Sequence, residues 1–189
     1  MAMPSTMPTQ GQWTVEEMWA LPDDGQRYEV IDGVLYVTPS PRDEHQDAVA
    51  ALLIPIAAYL LREQVGWVRV APADVRFGPR RGVQPDLYVA PLVEGKRPHG
   101  WQAIRHLVLA VEVLSPSTAA RDRSVKRRLY QENADEYWIV DLDGRVFERW
   151  RPEDERPEIL DQQLVWRPAG CTDPLVVDLP AFFRQAWGE

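Results

Sequence analysis

The sequence predicts a mixed α and β fold, of the α/β or α+β class, in which helices flank a central mixed sheet. Its 189 residues, 45% of them hydrophobic, are enough to build the core of one domain. A nearly uninterrupted apolar run over residues 107–114 has the composition of a strand buried on both faces. Residues 43–64 place apolar side chains at helical spacing, and residues 119–133 are predicted to form a charged helix. We therefore expect a single domain over residues 1–189.

The N-terminal elements follow from local signals. Thr14 has capping-box spacing to Glu17 and predicts a short helix that ends near Leu21. Asp32-Gly33 predicts the turn of a β-hairpin between residues 28–31 and 34–37. A turn-rich loop over residues 38–42 precedes the long amphipathic helix of residues 43–64. Pro55 lies inside that helix and predicts a kink or two shorter helices.

The rest of the chain alternates short strands with one more helix. Strands are predicted over residues 67–71, 74–78, 86–90, 107–114, 136–141 and 146–150, with Asp143-Gly144 as the turn between the last two. A charged helix is predicted from about Ala119 to Asn133. Residues 151–189 are a proline-rich acidic extension ending in a short helix, Pro180 to Trp187, so the predicted core spans about residues 13–150. The two hairpins and the many large apolar side chains predict a homodimer.

Charge is distributed unevenly along the chain. The net charge is -8, yet the 14 acidic and 6 basic residues from Glu132 onward account for all of it. The balanced first part contains two basic clusters, which are Arg121, Arg123, Lys126, Arg127 and Arg128, and Arg76, Arg80 and Arg81. They form either a local nucleic-acid-binding surface or ordinary solvated helix and loop charges.

Several classes of protein are excluded at this stage. No stretch approaches the roughly 18 apolar residues of a membrane span, and the first ten residues lack the blocks of a secretory signal, so we expect a cytoplasmic protein. The single Cys171 excludes an intrachain disulfide and a cysteine zinc site. His45, His99 and His106 have no metal-ligand spacing.

Glu112 is the residue that does not fit its surroundings. It lies inside the apolar run, where an ionised carboxylate loses several kcal/mol of hydration unless a cation, a metal or hydrogen bonds compensate it. Asp86 starts a preceding strand, and pairing of the two strands would bring both carboxylates together. A divalent ion would relieve their repulsion. The competing interpretations are an uncharged or ion-paired core carboxylate for Glu112 and a Pro-Asp turn that simply begins a strand for Asp86.

The order of these residues resembles a large bacterial family of uncharacterised proteins, described as "putative restriction endonucleases" and assigned to the PD-(D/E)XK nuclease superfamily. The resemblance covers about residues 13–150. It rests on Pro85-Asp86, on Glu112-Val113-Leu114-Ser115-Pro116-Ser117-Thr118, on Asp122, Lys126 and Tyr130, on residues 136–141, on Tyr28 to Gly33, and on Pro41 to His45.

The resemblance implies a restriction-endonuclease-like core with extra N-terminal and C-terminal β-hairpins, and a site holding magnesium or manganese. Asp86 and Glu112 would be its acidic ligands and the main-chain carbonyl of Val113 a further one. Leu114 replaces the usual lysine two positions after the second acid. The family pattern offers Lys126, on the following helix, as a migrated catalytic lysine.

The remaining assignments are less direct. Glu29 is either a third acidic ligand or a surface residue of the hairpin, and His45 either supports the site or is structural. Asp122 and Tyr130 are supporting residues, and Lys126 is expected on the helix surface, paired with Asp122. Four arginines of the same helix are the candidate phosphate contacts, namely Arg121, Arg123, Arg127 and Arg128.

Two functions remain at this point. The first is a metal-dependent endonuclease that hydrolyses DNA phosphodiester bonds. The second is a catalytically inactive nuclease-like fold that serves as a DNA-binding or protein-interaction module. The replacement at Leu114 and the acidic total favour the second function, whereas the complete set of Asp86, Glu112 and Lys126 favours the first.

Overall fold

The computed structural model describes residues 11–38, 42–97, 100 and 104–189. Most of the predicted loop of residues 38–42, including Pro41, and His99 lie outside these ranges. The strands are β1 (Arg27–Ile31), β2 (Val34–Thr38), β3 (Gly66–Val70), β4 (Val75–Gly78), β5 (Arg81–Val83), β6 (Leu87–Pro91), β7 (Leu109–Val113), β8 (Tyr137–Asp141), β9 (Val146–Trp150), β10 (Glu158–Leu160), β11 (Gln163–Trp166) and β12 (Leu175–Asp178). The helices are α1 (Val15–Trp19), α2 (Asp43–Glu63), α3 (Ala119–Arg121), α4 (Arg127–Asn133) and α5 (Leu179–Trp187), with a π-helical turn, Asp122–Lys126, joining α3 to α4.

A mixed six-stranded sheet forms the centre of the molecule, as predicted. Its strand order is β10-β9-β8-β7-β6-β3. Strands β7 and β8 run parallel, and the other neighbours are antiparallel. The α3–α4 segment is the crossover between the two parallel strands, a connection that such a pair requires. Both faces of β7 are buried, in agreement with its apolar sequence.

Alternating side chains of the sheet build two separate cores. On one face, Leu109, Val111 and Val113 of β7 pack in the core to which α2 and α5 contribute. On the opposite face, Ala110 packs in a core shared with α4 and with β4 and β5. Glu112 has the same parity as Ala110 along the strand, so its side chain points to the α4 face.

A second sheet, with the order β2-β1-β5-β4, carries the predicted N-terminal hairpin. Asp32 and Gly33 form the turn, both with positive φ, and the Thr14–Glu17 capping box is present at α1. Strand β5 was not predicted, because two of its three residues, Arg81 and Gly82, give no strand signal. This strand pairs with β1 and so connects the hairpin to the rest of the small sheet.

Two other predictions differ from the structure. Helix α2 continues through Pro55 as one element rather than two. Proline removes a single hydrogen-bond donor, and the packing of Leu52, Ile56 and Leu60 in the core offsets that loss. The hairpin at Asp143-Gly144 was expected as an addition to the core. Its turn is exposed, but both of its strands are interior strands of the central sheet.

The C-terminal extension is built into the same structure. It supplies β10, the hairpin β11–β12 and α5, and only the helix was predicted. Its apolar residues join the core under α2; these are Leu164, Trp166, Leu175, Val177, Leu179, Phe182, Phe183 and Ala186. Within the described ranges, no helix has the length and apolar character required to cross a bilayer.

Candidate active site

The strand register explains how the two predicted acids meet. Leu87 of β6 pairs with Val111 of β7 in an antiparallel ladder. Continuing this register by one residue places Asp86 opposite Glu112, on the same face of the sheet. Both side chains are buried, with 3% of each residue exposed. The main-chain N–H of Val113 donates to Asp86 Oδ2 at 2.9 Å, which holds the Asp86 carboxylate against the end of β7.

Lys126 is part of this group, but its predicted position on the helix surface is wrong. Only 1% of the residue is exposed. Its Nζ lies 2.8 Å from Glu112 Oε1 and 2.9 Å from Glu29 Oε1, while Asp122 Oδ1 is 3.9 Å away. The i,i+4 spacing to Asp122 suggested a surface ion pair. Instead, both residues lie on the inner side of the π turn, whose buried residues are these two.

Glu29 is a buried residue of the site and not a surface residue of the hairpin. It is fully buried, and Oε1 accepts the main-chain N–H of Gln84 at 3.0 Å in addition to its contact with Lys126. Oε2 has no hydrogen-bond partner within the described ranges. Arg121 lies 3.7 Å from that oxygen. Glu29 and Glu112 therefore hold Lys126 between them.

Arg27 and His45 occupy the oxygens of Asp86. Arg27 Nη1 donates to Oδ1 at 2.6 Å, and His45 Nε2 lies 2.9 Å from Oδ2. His45 was predicted from the sequence, whereas Arg27 was not. The available signal was parity, because Arg27 is two residues before Glu29 on β1 and projects to the same side of that strand.

Tyr130 and Asp122 complete the inner group. Tyr130 donates its hydroxyl to Glu112 Oε1 at 2.9 Å and is fully buried. Asp122 is 1% exposed, and its Oδ1 is a buried atom without a hydrogen bond from any described residue. Both supporting residues predicted from the sequence therefore contact the acids or the lysine.

The four arginines predicted to contact DNA differ in their surroundings. Arg121 donates to Thr38 Oγ1 at 2.7 Å and stacks on Tyr36. Arg123 binds Glu148 and Asp141 at 2.6 and 2.7 Å. Arg127 stacks on Trp150. Arg128 is exposed, and no ion pair is recorded for it among the described residues.

Burial and neighbouring charges set the protonation of the group. Burial works against ionisation of Asp86, but His45, Arg27 and Lys126 outweigh it and hold its pKa well below the usual range. Burial raises the pKa of Glu112 well above its ordinary value, and the charges of Asp86, Asp122 and Glu29 add to this effect. Burial disfavours a charged Lys126, yet Glu112, Glu29 and Asp122 raise its pKa, so it stays an ammonium.

The group opens onto a cleft of about 580 Å³. Asp86, Glu112, Asp122 and Lys126 line its inner end, and the loop of residues 115–118 lines its wall. Arg42 and Arg123 lie along the same cleft, and so do the acidic residues Glu44, Asp141 and Asp143. Arg123 is paired with Asp141, so the cleft carries charges of both signs.

The buried acids are the residues that could hold a magnesium or manganese ion. Four buried carboxylates face three permanent cations, because Glu29, Asp86, Glu112 and Asp122 stand against Arg27, Arg121 and Lys126. A divalent cation would favour the ionised form of Glu112, which burial disfavours. Oε2 of Glu112 accepts no hydrogen bond from the described residues. In the described part of the chain no three His, Cys, Asp or Glu residues form a metal cluster, so waters, a main-chain carbonyl and substrate oxygens would complete the shell.

Comparisons with known proteins bear on the fold and the family of the chain. No curated protein sequence matches the chain. A solved structure from Anabaena variabilis ATCC 29413, described as a putative nuclease belonging to DUF820, superimposes with a TM-score of 0.73 at 18% identity, over 92% of this chain and 99% of that one. This likeness shows a shared fold. The family model described as "Putative restriction endonuclease", Uma2, matches residues 15–177. The chain therefore belongs to the Uma2 family.

Proposed function

We propose that this protein is a magnesium- or manganese-dependent endodeoxyribonuclease that hydrolyses DNA phosphodiester bonds in the cleft. The observation that carries the proposal is the meeting of Asp86, Glu112 and Lys126 at one end of a cleft that Arg42 and Arg123 also line. The family description and the described nuclease with the same fold support it. Assignment to the PD-(D/E)XK superfamily and a cytoplasmic location, where DNA is accessible to the enzyme, are parts of the same proposal.

Asp86 and Glu112 would hold the ion, with the Val113 carbonyl and Glu29 as further candidates. When bound there, such an ion would supply Lewis-acid polarisation of a phosphate oxygen and would lower the pKa of water at the site. In the reaction, water adds to phosphorus, one phosphorus–oxygen ester bond breaks, and the leaving oxygen takes up a proton. The products are a phosphomonoester end and a hydroxyl end.

Lys126 would act as a fixed positive charge and not as a base. Its pKa is raised, so the ammonium keeps its proton while it stabilises charge on the attacking oxygen or the phosphate. Glu29 and Glu112 hold the Nζ from two sides at 2.9 and 2.8 Å, which fixes its position. Arg121, Arg123, Arg127 and Arg128 are proposed to contact DNA phosphates, which gives affinity without sequence information.

A non-catalytic module is the second candidate, and one observation favours it. Both oxygens of Asp86 already bind protein groups, Arg27 on one side and His45 with Val113 on the other. A metal ion at Asp86 would have to share or displace these contacts. The presence of Leu114 in place of the superfamily lysine also favours a non-catalytic module.

Cleavage of supercoiled plasmid separates the two functions. The wild type should nick plasmid with magnesium or manganese and not with EDTA, and Glu112→Gln, which keeps the side-chain shape, should abolish nicking. Lys126→Arg should also be poor, because its planar, longer group misplaces the charge. No nicking by the wild type under any metal condition, or equal nicking by Glu112→Gln, would reject the nuclease.

Metal binding is tested separately by thermal unfolding. An ion that binds only the folded protein raises its melting temperature by mass action. Manganese should raise the melting temperature of the wild type, and Asp86→Asn should remove most of that rise. Asp161→Asn, an exposed acid of the C-terminal extension, is the matched control and should respond like the wild type. Equal responses of all three proteins would place the ion elsewhere.

A further inference from the structure

The outer face of α2 is apolar over a length that a solvated helix face does not normally show. Between Asp47 and Arg62 the helix contains no charged residue. Ile54 is 65% exposed and Leu61 is 63% exposed, and Ala50 and Ala58 on the same face are exposed as well. A helix that is apolar on all sides is normally covered on all sides. The inner side of α2 contacts the central sheet and α5, which leaves the outer side to be covered.

The exposed positions are arranged symmetrically about Ile54. Ala50 and Ala58 lie four residues before and after it, and Asp47 and Leu61 lie seven residues before and after it. These positions follow one line along a helix. The small side chains on each side of Ile54 allow another helix to approach closely.

Charged side chains flank the two ends of this line. Asp47 is exposed at its N-terminal end. Arg62 follows Leu61 at its C-terminal end, with 60% of its side chain accessible, and binds Glu63 of the same chain at 2.9 Å. A second α2 packed antiparallel about Ile54 would set each Asp47 opposite Leu61 of the other chain and near its Arg62. The same patch then serves both subunits, which is the requirement for a twofold interface.

We propose that two copies of this chain associate through this outer face of α2, antiparallel and with the twofold axis at Ile54. Ile54 then packs on Ile54 of the second copy, and Ala50 packs on Ala58. The occupant is a second copy because the exposed positions are spaced symmetrically about Ile54 and opposite charges flank the two ends of the face. The inference goes beyond the proposed nuclease activity and does not depend on it.

Sedimentation of the full chain tests the interface. The wild type should be a dimer at micromolar concentration, and Ile54→Glu should raise the dissociation constant at least about 100-fold, as expected for a central contact of an interface. Circular dichroism and melting should confirm that this variant stays folded. The matched control is Val176→Glu, an exposed apolar residue on the outer face of the β11–β12 hairpin, 50% exposed, which should leave the dimer intact.

Charge exchange tests the antiparallel geometry. Asp47→Arg and Arg62→Asp should each weaken the dimer, whereas the protein that carries both substitutions should recover it. In a Cys171→Ser background, Ile54→Cys should form a disulfide with its own copy. Ala50→Cys should not cross-link to itself but should cross-link when mixed with Ala58→Cys.

Three results would overturn the proposal. The first is a wild-type protein that stays monomeric up to about 100 µM, well above the dissociation constants of stable dimers. The second is a dimer that Ile54→Glu leaves unchanged. The third is a double charge exchange that fails to restore a dimer weakened by both single changes.

Discussion

At the scale of single residues, Glu112 shows what a sequence can reveal about a buried charge. Its place in an apolar strand predicted that something must compensate it, and Lys126 and Tyr130 both contact its Oε1. The partner lysine was predictable from the motif order, but its burial was not. Parity on β1 could have placed Arg27 on the same side as Glu29. It could not have paired Arg27 with Asp86, because the two residues are 59 positions apart and lie at different sheets.

The raised pKa of Glu112 makes a prediction about stability without metal. The folded state holds the proton of this acid more tightly than the unfolded state. The contribution of this proton binding to the free energy of unfolding is therefore fully present below the ordinary glutamate pKa of about 4.3. It is lost as pH rises through the pKa that Glu112 has in the folded state. Glu112→Gln cannot lose a proton, so in EDTA it should be more stable than the wild type by about 1–3 kcal/mol at pH 8.

Urea unfolding from pH 4 to pH 8 measures this difference. The gain from Glu112→Gln should shrink toward zero as pH falls to 4, where both proteins carry a neutral side chain. Glu153→Gln, at an exposed position, should follow the wild type throughout. A loss of stability in Glu112→Gln that is constant with pH would mean that the carboxylate is ionised and held by Lys126.

At the scale of elements, the helix after β7 was predictable in extent but not in geometry. The sequence predicted residues 119–133, and α3, the π turn and α4 cover that range. No sequence signal marked the π turn, which directs Asp122 and Lys126 inward. A π turn is rare within an α-helix, and here it is accompanied by tertiary contacts of Lys126 with the buried acids. The local sequence contains no information about those contacts.

Alanine substitutions of the arginines in this helix should have different effects, depending on the contacts that each arginine makes within the protein. Arg128 is exposed, so Arg128→Ala should change stability by no more than about 0.5 kcal/mol and lower the salt slope of DNA binding by about 0.9. Arg123 bridges Asp141 and Glu148, so Arg123→Ala should cost about 1 kcal/mol by leaving the buried Glu148 without its cation. Fluorescence anisotropy at several salt concentrations, with urea unfolding, measures both. An unchanged salt slope in Arg128→Ala would remove that residue from the DNA contacts.

At the scale of the whole molecule, the sequence predicted the mixed sheet but placed the end of its core too early. The core was predicted over about residues 13–150 because the later segment is acidic and rich in proline. The acidic, proline-rich composition reflects the exposed side chains of β10, β11 and β12, because β11 and β12 bury only alternate residues and β10 has no fully buried residue. The family match reaches residue 177 and so includes both strands of the β11–β12 hairpin for most of their length.

Truncation after Trp150 should therefore yield a chain that does not fold. Trp166 packs edge-on against Trp138 at 5.5 Å and near Tyr59 at 5.7 Å, and Phe183 packs on Phe147 at 5.8 Å. Removing residues 151–189 would expose the core face of the sheet and the inner side of α2. Residues 1–150 should then lack cooperative urea unfolding and near-ultraviolet circular dichroism. In the full chain, Phe183→Ala alone should cost about 3–5 kcal/mol, whereas Trp187→Ala, at a position 37% exposed, should cost clearly less. A single cooperative transition in residues 1–150 would instead make the extension an independent addition to a complete core.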